Sequence, residues 1–224
     1  PPERVGDALL TPGWTSYDHW LQYQTYDVTA LLRVGDNVVG ALLGDGWYRG
    51  YLGFRGERNL YGDRLALLLQ LHLIDSDGRV QIVPSDAGWR AARGPIRMAD
   101  IYMGETYDAT QEKSGWDGPG YDDRAWYGVR QLDHPKAILV GQVGPPVHRQ
   151  ERLRPVRKLH SPQGETIFDF GQNMVGWVRV RARGPAGTAI TLCLGIGLAL
   201  NWLTIDTSLY RFDLTEDKIY TVSP

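Results

Sequence analysis

Two short stretches of the sequence bring together residue types that can bind a sugar or a cation. The first, LLGDGWYRG at 42–50, follows an apolar run and offers the Asp45 carboxylate, the Trp47 and Tyr48 rings and the Arg49 guanidinium. Aromatic rings stack on the apolar face of a pyranose, while charged groups bind its hydroxyls. The alternative is a strand-to-strand corner, in which Trp47 packs inward and Asp45 binds the turn backbone. Taken alone, these residues favour the corner.

The same stretch resembles a dinucleotide-binding fingerprint without satisfying it. The third glycine, Gly50, falls one position late, and Arg49 occupies its place. Trp47 and Tyr48 would block the close backbone approach that a pyrophosphate needs, and no helical pattern follows. Nucleotide binding is therefore not expected here.

The second stretch, DIYMGETYDA at 100–109, carries three carboxylates and two tyrosines within nine residues. They are Asp100, Tyr102, Glu105, Tyr107 and Asp108. Calcium takes six to eight oxygen ligands, so these loops together with Asp45 could supply several of them. Alternatively, Glu105 and Asp108 could serve as the acid and base of a glycoside hydrolase. Because the chain has 26 acidic residues, closeness in sequence is weak support for either reading.

Composition excludes several functional classes. The net charge is −2, with no block of like charges, so neither nucleic acid nor an anionic membrane is an expected partner. No run of 18 apolar residues predicts a membrane-spanning helix. The single cysteine, Cys193, forms no internal disulfide, the five histidines lack zinc-ligand spacing, and no G-x-S-x-G motif occurs. The start at Pro1, without an initiator Met, is typical of a fragment end. Compartment is left open, with the cytoplasm favoured over secretion.

The pattern between glycines and prolines predicts an all-β protein. RLALLLQLHLI (64–74) and RVQIV (79–83), joined by DSDG (75–78), predict a hairpin. Further strand-like runs lie at 24–32, 37–43, 165–170, 177–183 and 188–194, and no amphipathic helix of three turns is apparent. Turn signals at roughly 8–12-residue spacing predict two β-sandwiches in series, jelly-roll-like in character. A Pro- and Gly-rich stretch at 134–155 separates them, giving predicted domains at 1–137 and 138–224.

Four long stretches carry a resemblance to a known family. They are LLTPGWTSYDHWLQYQTYDVTALLRVGDNVVGALLGDGWYRGYLGF (9–54), GPIRMADIYMGETYDA (94–109), GWDGPGYDDRAW (115–126) and GETIFDFGQNMVGWVRVRARGPAGTAITL (164–192). In composition and order they resemble the N-terminal region of bacterial α-L-rhamnosidases, over about residues 5–192. The family has the PGWT, TYDVT and GWYRG motifs in this order, and the order and length of the matching stretches argue against chance similarity.

The resemblance implies an inverting glycosidase that removes terminal L-rhamnose, with its catalytic carboxylates in a later (α/α)₆ barrel. These 224 residues do not contain that barrel. No catalytic residue is therefore carried over, and the chain is expected to be inactive alone. In some family members the first sandwich resembles a carbohydrate-binding module that holds L-rhamnose with a calcium ion.

The resemblance assigns candidate positions to such a site. The carbohydrate-binding candidates are Asp45, Gly46, Trp47, Tyr48, Arg49, Tyr102 and Glu105. The metal candidates are Asp45, Asp100 and Asp108. The predicted function is thus a non-catalytic accessory fragment that binds a rhamnose-containing glycan, with calcium as the one cofactor considered and no oligomeric state assigned. The alternative is a structural or interaction module without a ligand.

Two departures from the family pattern stand out. Thr110 follows GETYDA where family members usually have arginine. Residues 193–224 also depart, with Ile196 in the place of a family glutamate and only an Asp217…Tyr220 echo of a later motif. This C-terminal stretch is expected to be either divergent or altered in the gene.

Overall fold

The computed structural model describes residues 2–52, 55–197, 204–213 and 220–221. Within these residues the chain forms sixteen short strands and one α-helix of four residues, so the all-β prediction is confirmed. No helix in these ranges is long and apolar enough to cross a membrane. Much of the departing C-terminal stretch, including Asp217, lies outside the described residues.

The strands are numbered in chain order. They are β1 Leu21–Tyr23, β2 Tyr51–Leu52, β3 Glu57–Arg58, β4 Gln70–Ile74, β5 Val80–Pro84, β6 Arg90–Ala91, β7 Ile96–Asp100, β8 Gly104–Asp108, β9 Tyr127–Gly128, β10 Leu139–Gly141, β11 Arg157–His160, β12 Thr166–Asp169, β13 Arg181–Ala182, β14 Ala189–Gly197, β15 Thr204–Asp213 and β16 Tyr220–Thr221. Helix α1 spans Gly46–Arg49, and 3₁₀ turns lie at Thr29–Leu31, Ala109–Gln111 and Lys136–Ile138.

One four-stranded sheet joins distant parts of the chain. Its order is β14-β15-β8-β7, and β15 runs parallel to β8. The other described strands pair in twos, as β1–β10, β2–β3, β4–β5, β6–β9, β11–β12 and β13–β16. The four-stranded sheet contains strands from both sides of residue 137, while the domain boundary proposed at that point stays a prediction.

The predicted hairpin at DSDG is confirmed. Strands β4 and β5 pair antiparallel from Gln70↔Pro84 to Ile74↔Val80. The Asp75 carboxylate closes the turn, because its Oδ1 accepts the N–H groups of Asp77 and Arg79, each at 2.9 Å. The first strand is shorter than the predicted run at 64–74.

Three other predicted strands differ from the structure. The runs at 24–32 and 37–43 form no ladder in the described part of the chain, and Thr29–Leu31 is a 3₁₀ turn. There, Asp27 Oδ1 accepts the N–H of Thr29 at 2.9 Å, a local bond that competes with strand pairing. In the run at 177–183 only Arg181–Ala182 pairs. The alternation of apolar and polar residues at 177–183 predicts extended, half-buried backbone. It does not specify which strand lies alongside, and backbone pairing requires such a neighbour.

The core is small. Among the described side chains, the buried apolar residues are Leu9, Tyr17, Leu52 and Ala109. Ala109 packs against Tyr107 and Ile190, so it contacts a strand of the C-terminal part. Many apolar side chains elsewhere are exposed, including Ile74 at 71% and Val80 at 56% on the β4–β5 hairpin. The best-packed apolar contacts therefore lie around the N-terminal segment and the end of β8.

Candidate functional site

The first candidate stretch forms a tight corner around α1. Asp45 precedes the helix and is buried, at 7% exposure. Its Oδ1 accepts a hydrogen bond from Arg49 Nε at 2.5 Å, across one helical turn. Gly46 begins the helix at φ +50°, a left-handed conformation that favours glycine. The carboxylate of Asp45 thus pairs with the Arg49 side chain and caps no backbone N–H of the helix, whereas the corner interpretation expected it to bind the turn backbone.

Asp100 joins this corner to the turn between β7 and β8. Its Oδ2 accepts the N–H of Tyr51 at 2.5 Å, and its Oδ1 accepts those of Tyr102 at 2.7 Å and Met103 at 2.8 Å. Gly50 lies so close that a Cβ there would collide with the Gly46 carbonyl and the Asp100 carboxylate. The two candidate stretches therefore meet, as predicted, with Asp100 as the link.

Aromatic rings line one side of the corner. Trp14 stacks on Trp47 with ring centroids 6.1 Å apart and planes 7° apart. Trp14 Nε1 donates to the Tyr61 hydroxyl at 3.2 Å, and Tyr61 meets Tyr17 edge-on at 4.8 Å. Tyr48 also contacts Tyr17 edge-on, at 5.6 Å. This ring cluster, formed by the five aromatic residues, buries Tyr17 at 6% exposure and leaves Trp14 at 52%.

Tyr17 is the structural centre of the ring cluster. Its hydroxyl donates to the Gly13 carbonyl at 2.7 Å. Burial, aided by Tyr61, raises the pKa of Tyr17 to about 12. The phenol therefore stays protonated at neutral pH and acts as a hydrogen-bond donor that holds the 13–17 turn.

Glu105 lies beside the corner on β8. It pairs with Ala99 in the antiparallel ladder, and paired residues share one face of a sheet. Ala99 Cβ lies 3.4 Å from where a Cβ on Gly44 would stand, so this face looks toward the loop before α1. Glu105 is half-buried, and burial raises the pKa of its carboxyl. Tyr102, at 50% exposure, lies in the adjoining turn.

Asp108 lies away from this corner. It ends β8, four residues beyond Gly104, a span of about 13 Å in an extended strand. Its Oδ1 accepts from Thr110 N at 2.9 Å and Thr110 Oγ1 at 2.5 Å. The side-chain hydrogen bond from Thr110 is the main cause that lowers the pKa of Asp108. Thr110, the departure from the family pattern, thus serves here as the local partner of Asp108.

These positions do not fit a calcium site built from the three predicted carboxylates. Asp45 binds Arg49, Asp100 binds three backbone amides, and Asp108 lies at the other end of β8. Over the described ranges, no group of three His, Cys, Asp or Glu side chains is arranged to hold a metal ion. Calcium binding stays a prediction that a titration can test.

The structure thus brings together most of the predicted carbohydrate-binding residues. Asp45 to Arg49 form the corner, and Tyr102 and Glu105 lie on the adjoining hairpin. Sequence reasoning assigned no role to Trp14, Tyr17 or Tyr61, although the first two lie in the PGWTSY motif. The concentration of aromatic residues at 14–26 is the sequence feature that could have pointed to Trp14 and Tyr17. No local pattern indicates that Tyr61 contacts them.

Two open hollows on the described surface lie apart from this corner. One, of about 480 Å³, is lined by Ala91, Ala92, Arg93 and Tyr127. The other, of about 360 Å³, is lined by Leu73, Ile74, Asp75, Arg79, Val80 and Gln81 on the β4–β5 hairpin. The ring cluster offers the half-exposed Trp14 ring as a surface for stacking.

Comparison with known proteins identifies the family. Residues 2–151 match the model of the alpha-L-rhamnosidase N-terminal domain, and residues 159–218 match that of the bacterial alpha-L-rhamnosidase concanavalin-like domain. The second match runs to residue 218, so family similarity extends past 192, where the sequence motifs ended. An alpha-L-rhamnosidase of Streptomyces avermitilis is 49% identical over 192 residues, covering 84% of this chain and 18% of the relative.

Solved structures agree with the sequence match. The crystal structure of native α-L-rhamnosidase from Aspergillus terreus aligns with a TM-score of 0.86 at 36% identity, covering 99% of this chain and 26% of that one. The Streptomyces avermitilis alpha-L-rhamnosidase complexed with L-rhamnose aligns with a TM-score of 0.86 at 40% identity, covering 99% and 22%. The chain thus spans about a fifth to a quarter of the length of these relatives.

Proposed function

Because the chain belongs to the α-L-rhamnosidase family, we propose that it is a non-catalytic accessory part of such a glycoside hydrolase, and that its ring cluster binds L-rhamnose. One observation carries the proposal: the near-parallel Trp14–Trp47 stack, with about half of Trp14 exposed. A relative of the same family has been solved with L-rhamnose, which supports the choice of sugar.

The chemistry of the sugar suits an aromatic surface. L-Rhamnose is a 6-deoxy sugar, so its C5 methyl group adds to the apolar face that a ring can cover. Trp14 would supply that contact, and Trp47 behind it fixes the plane of the indole. Stacking on a pyranose uses one face of the indole, so Trp14 can contact the sugar while Trp47 covers its other face.

Polar contacts would come from the corner beside the rings. Arg49 donates its Nε–H to Asp45, and within the described residues its terminal nitrogens bind no other group. Its side chain is 33% exposed, so those donors can reach sugar hydroxyls. Asp45 acts through Arg49 by fixing the guanidinium. Tyr102 and Glu105 on the adjoining hairpin complete the proposed contacts.

Titration of the purified chain with L-rhamnose tests the proposal. We expect a dissociation constant between millimolar and tens of micromolar, about 4 to 6 kcal/mol, read by tryptophan fluorescence and calorimetry. Trp14→Ala should weaken binding about tenfold or more, while Trp14→Phe keeps a stacking ring and much of the affinity. Trp89→Phe, a change outside the ring cluster, is the matched control. L-Mannose, which carries a C6 hydroxyl, should bind more weakly.

The same titration decides two further points. Loss of affinity in EDTA, restored by calcium, would support the predicted metal site, and an unchanged affinity would exclude calcium from sugar binding. No heat and no fluorescence change at about 50 mM L-rhamnose, well above the expected range, would contradict the sugar proposal. An unaltered affinity in Trp14→Ala would contradict the assignment of the ring cluster.

A structural role is the second candidate, and a specific observation favours it. Asp45 and Asp100 are satisfied internally, and Tyr17, Tyr48 and Tyr61 pack on one another. In that case the corner braces the N-terminal part against the sheet that β8 shares with β15. The chain would then ignore L-rhamnose but lose stability when the corner is altered. In neither case do we expect the chain to hydrolyse an aryl rhamnoside, and such activity would revive Glu105 and Asp108 as catalytic groups.

A further inference from the structure

We propose a second carbohydrate site at the hollow lined by Ala91, Ala92, Arg93 and Tyr127, which takes a uronate residue of an acidic glycan. This site is separate from the ring cluster, and its test can fail without affecting the rhamnose proposal. It follows from an exposed ring, a guanidinium that has no partner among the described residues, and an open hollow that both residues line.

The ladder between β6 and β9 explains why the ring is uncovered. Ala91 pairs directly with Tyr127, and opposed residues on antiparallel strands share a face. A methyl group is too small to cover a phenol ring, so Tyr127 remains 74% exposed. Such a ring can stack on the apolar face of a pyranose.

Arg93 supplies the charge that selects the ligand. Its neighbour Arg90 is occupied, since its Nε lies 3.8 Å from Asp123 Oδ1 and its Nη1 donates to the Trp126 carbonyl at 3.5 Å. Arg93 itself is exposed and makes no hydrogen bond or ion pair with any described residue. Of the four described residues that line the hollow, Arg93 is the charged one. A planar guanidinium matches a carboxylate in two parallel hydrogen bonds.

The shape of the hollow favours a residue within a glycan chain. The hollow has a volume of about 480 Å³ and is open to solvent. An open hollow can hold one sugar ring while both neighbouring residues of the chain continue into water. The net charge of the protein is −2, so no general attraction for anions exists and recognition depends on Arg93.

The test compares an acidic with a neutral oligosaccharide on the purified chain. A trigalacturonate should bind in the millimolar range by NMR shift or calorimetry, and the neutral galactose trisaccharide should bind about tenfold more weakly or not at all. Affinity for the trigalacturonate should fall as salt rises, since the contact is an exposed ion pair.

Variants locate the site. Arg93→Gln and Tyr127→Ala should each weaken trigalacturonate binding about tenfold, whereas Tyr127→Phe, which keeps the ring, should change it less than about twofold. Arg64→Gln is the matched control, because it removes an exposed positive charge outside the hollow. Rhamnose affinity should be unchanged in all four variants.

Three results would overturn the proposal. They are equal affinity for the acidic and neutral trisaccharides, equal loss of binding in Arg93→Gln and Arg64→Gln, and no detectable binding of the acidic sugar. Arg93 and Tyr127 are both exposed, so their substitution is not expected to unfold the chain, and circular dichroism checks this.

Discussion

The corner around α1 and the β4–β5 hairpin both contain an aspartate that closes a turn, but the two are stabilised differently. In the corner, Asp100 accepts three backbone N–H groups from two separate segments, beside a ring cluster and the buried Asp45. In the hairpin, Asp75 accepts two N–H groups of its own turn, and Ile74 and Val80 next to it are mostly exposed. Long-range contacts fix the corner, whereas local ones fix the hairpin.

The largest expected effect comes from removing the two aspartates in turn. Asp100→Ala should lower the free energy of unfolding by about 3 kcal/mol, because it leaves the partly buried N–H of Tyr51 without an acceptor and removes the two exposed turn bonds from Tyr102 and Met103. Asp75→Ala should cost a fraction of that, since water can replace the carboxylate in an exposed turn. Urea unfolding of both variants measures the difference. Equal losses would show that the corner is no more tightly held than the hairpin.

Substitution of Gly50 probes how closely the corner is packed. Gly50→Ala should destabilise the chain by about 2 kcal/mol, because the added Cβ would displace the Gly46 carbonyl or the Asp100 carboxylate. Gly94→Ala is the control, since a Cβ there meets nothing within 4 Å. Thermal unfolding of the two variants compares their stabilities. A Gly50→Ala variant as stable as the unaltered chain would contradict the close packing of Gly50 against Gly46 and Asp100.

Tyr17→Phe tests the hydroxyl at the centre of the ring cluster. Loss of the bond to the Gly13 carbonyl should cost about 1 kcal/mol, since the acceptor is left in a partly buried turn. The same change at the exposed Tyr127 should be neutral within error. Because burial raises the pKa of Tyr17 to about 12, an absorbance titration of the folded chain should include one phenol that ionises only near pH 12.

Substitution of Glu105 should have the smallest effect on the free energy of unfolding. Unlike the preceding substitutions, it should stabilise the chain. Burial raises the pKa of this carboxyl, so the folded state holds its proton more tightly than the unfolded state. Stability from this group is therefore lost as pH rises through the ordinary glutamate range to the folded pKa. Across the range from the ordinary glutamate pKa up to neutral pH, the stability of Glu105→Gln should rise relative to that of the unaltered chain, as measured by urea unfolding at each pH. A constant difference across that range would contradict the burial effect.

The same contrast explains what could be predicted from sequence. The DSDG hairpin depends on residues close together in sequence, and it is found where predicted. The meeting of the GWYRG and DIYMGETYDA stretches was expected from family resemblance, and the Asp100–Tyr51 bond agrees with it.

The remainder depends on partners far apart in sequence. Trp14 stacks on Trp47 and donates to Tyr61, a contact across 47 residues that no periodicity encodes. Spacing placed Asp100 and Asp108 in one acidic cluster, but an intervening strand holds them at opposite ends. Alternation at 177–183 predicted a long strand, yet pairing is limited to the two residues that find a partner in β16.

The parallel pairing of β8 with β15 has a consequence for dividing this chain experimentally. Backbone pairs from Leu209↔Gly104 to Asp213↔Asp108 tie the segment that matches the N-terminal family domain to the segment that matches the second. A truncation in the gap at 152–158 would leave one side of β8 with unpaired amides and carbonyls. Such an open strand edge invites association between molecules, so the shortened protein should be less soluble than the longer one.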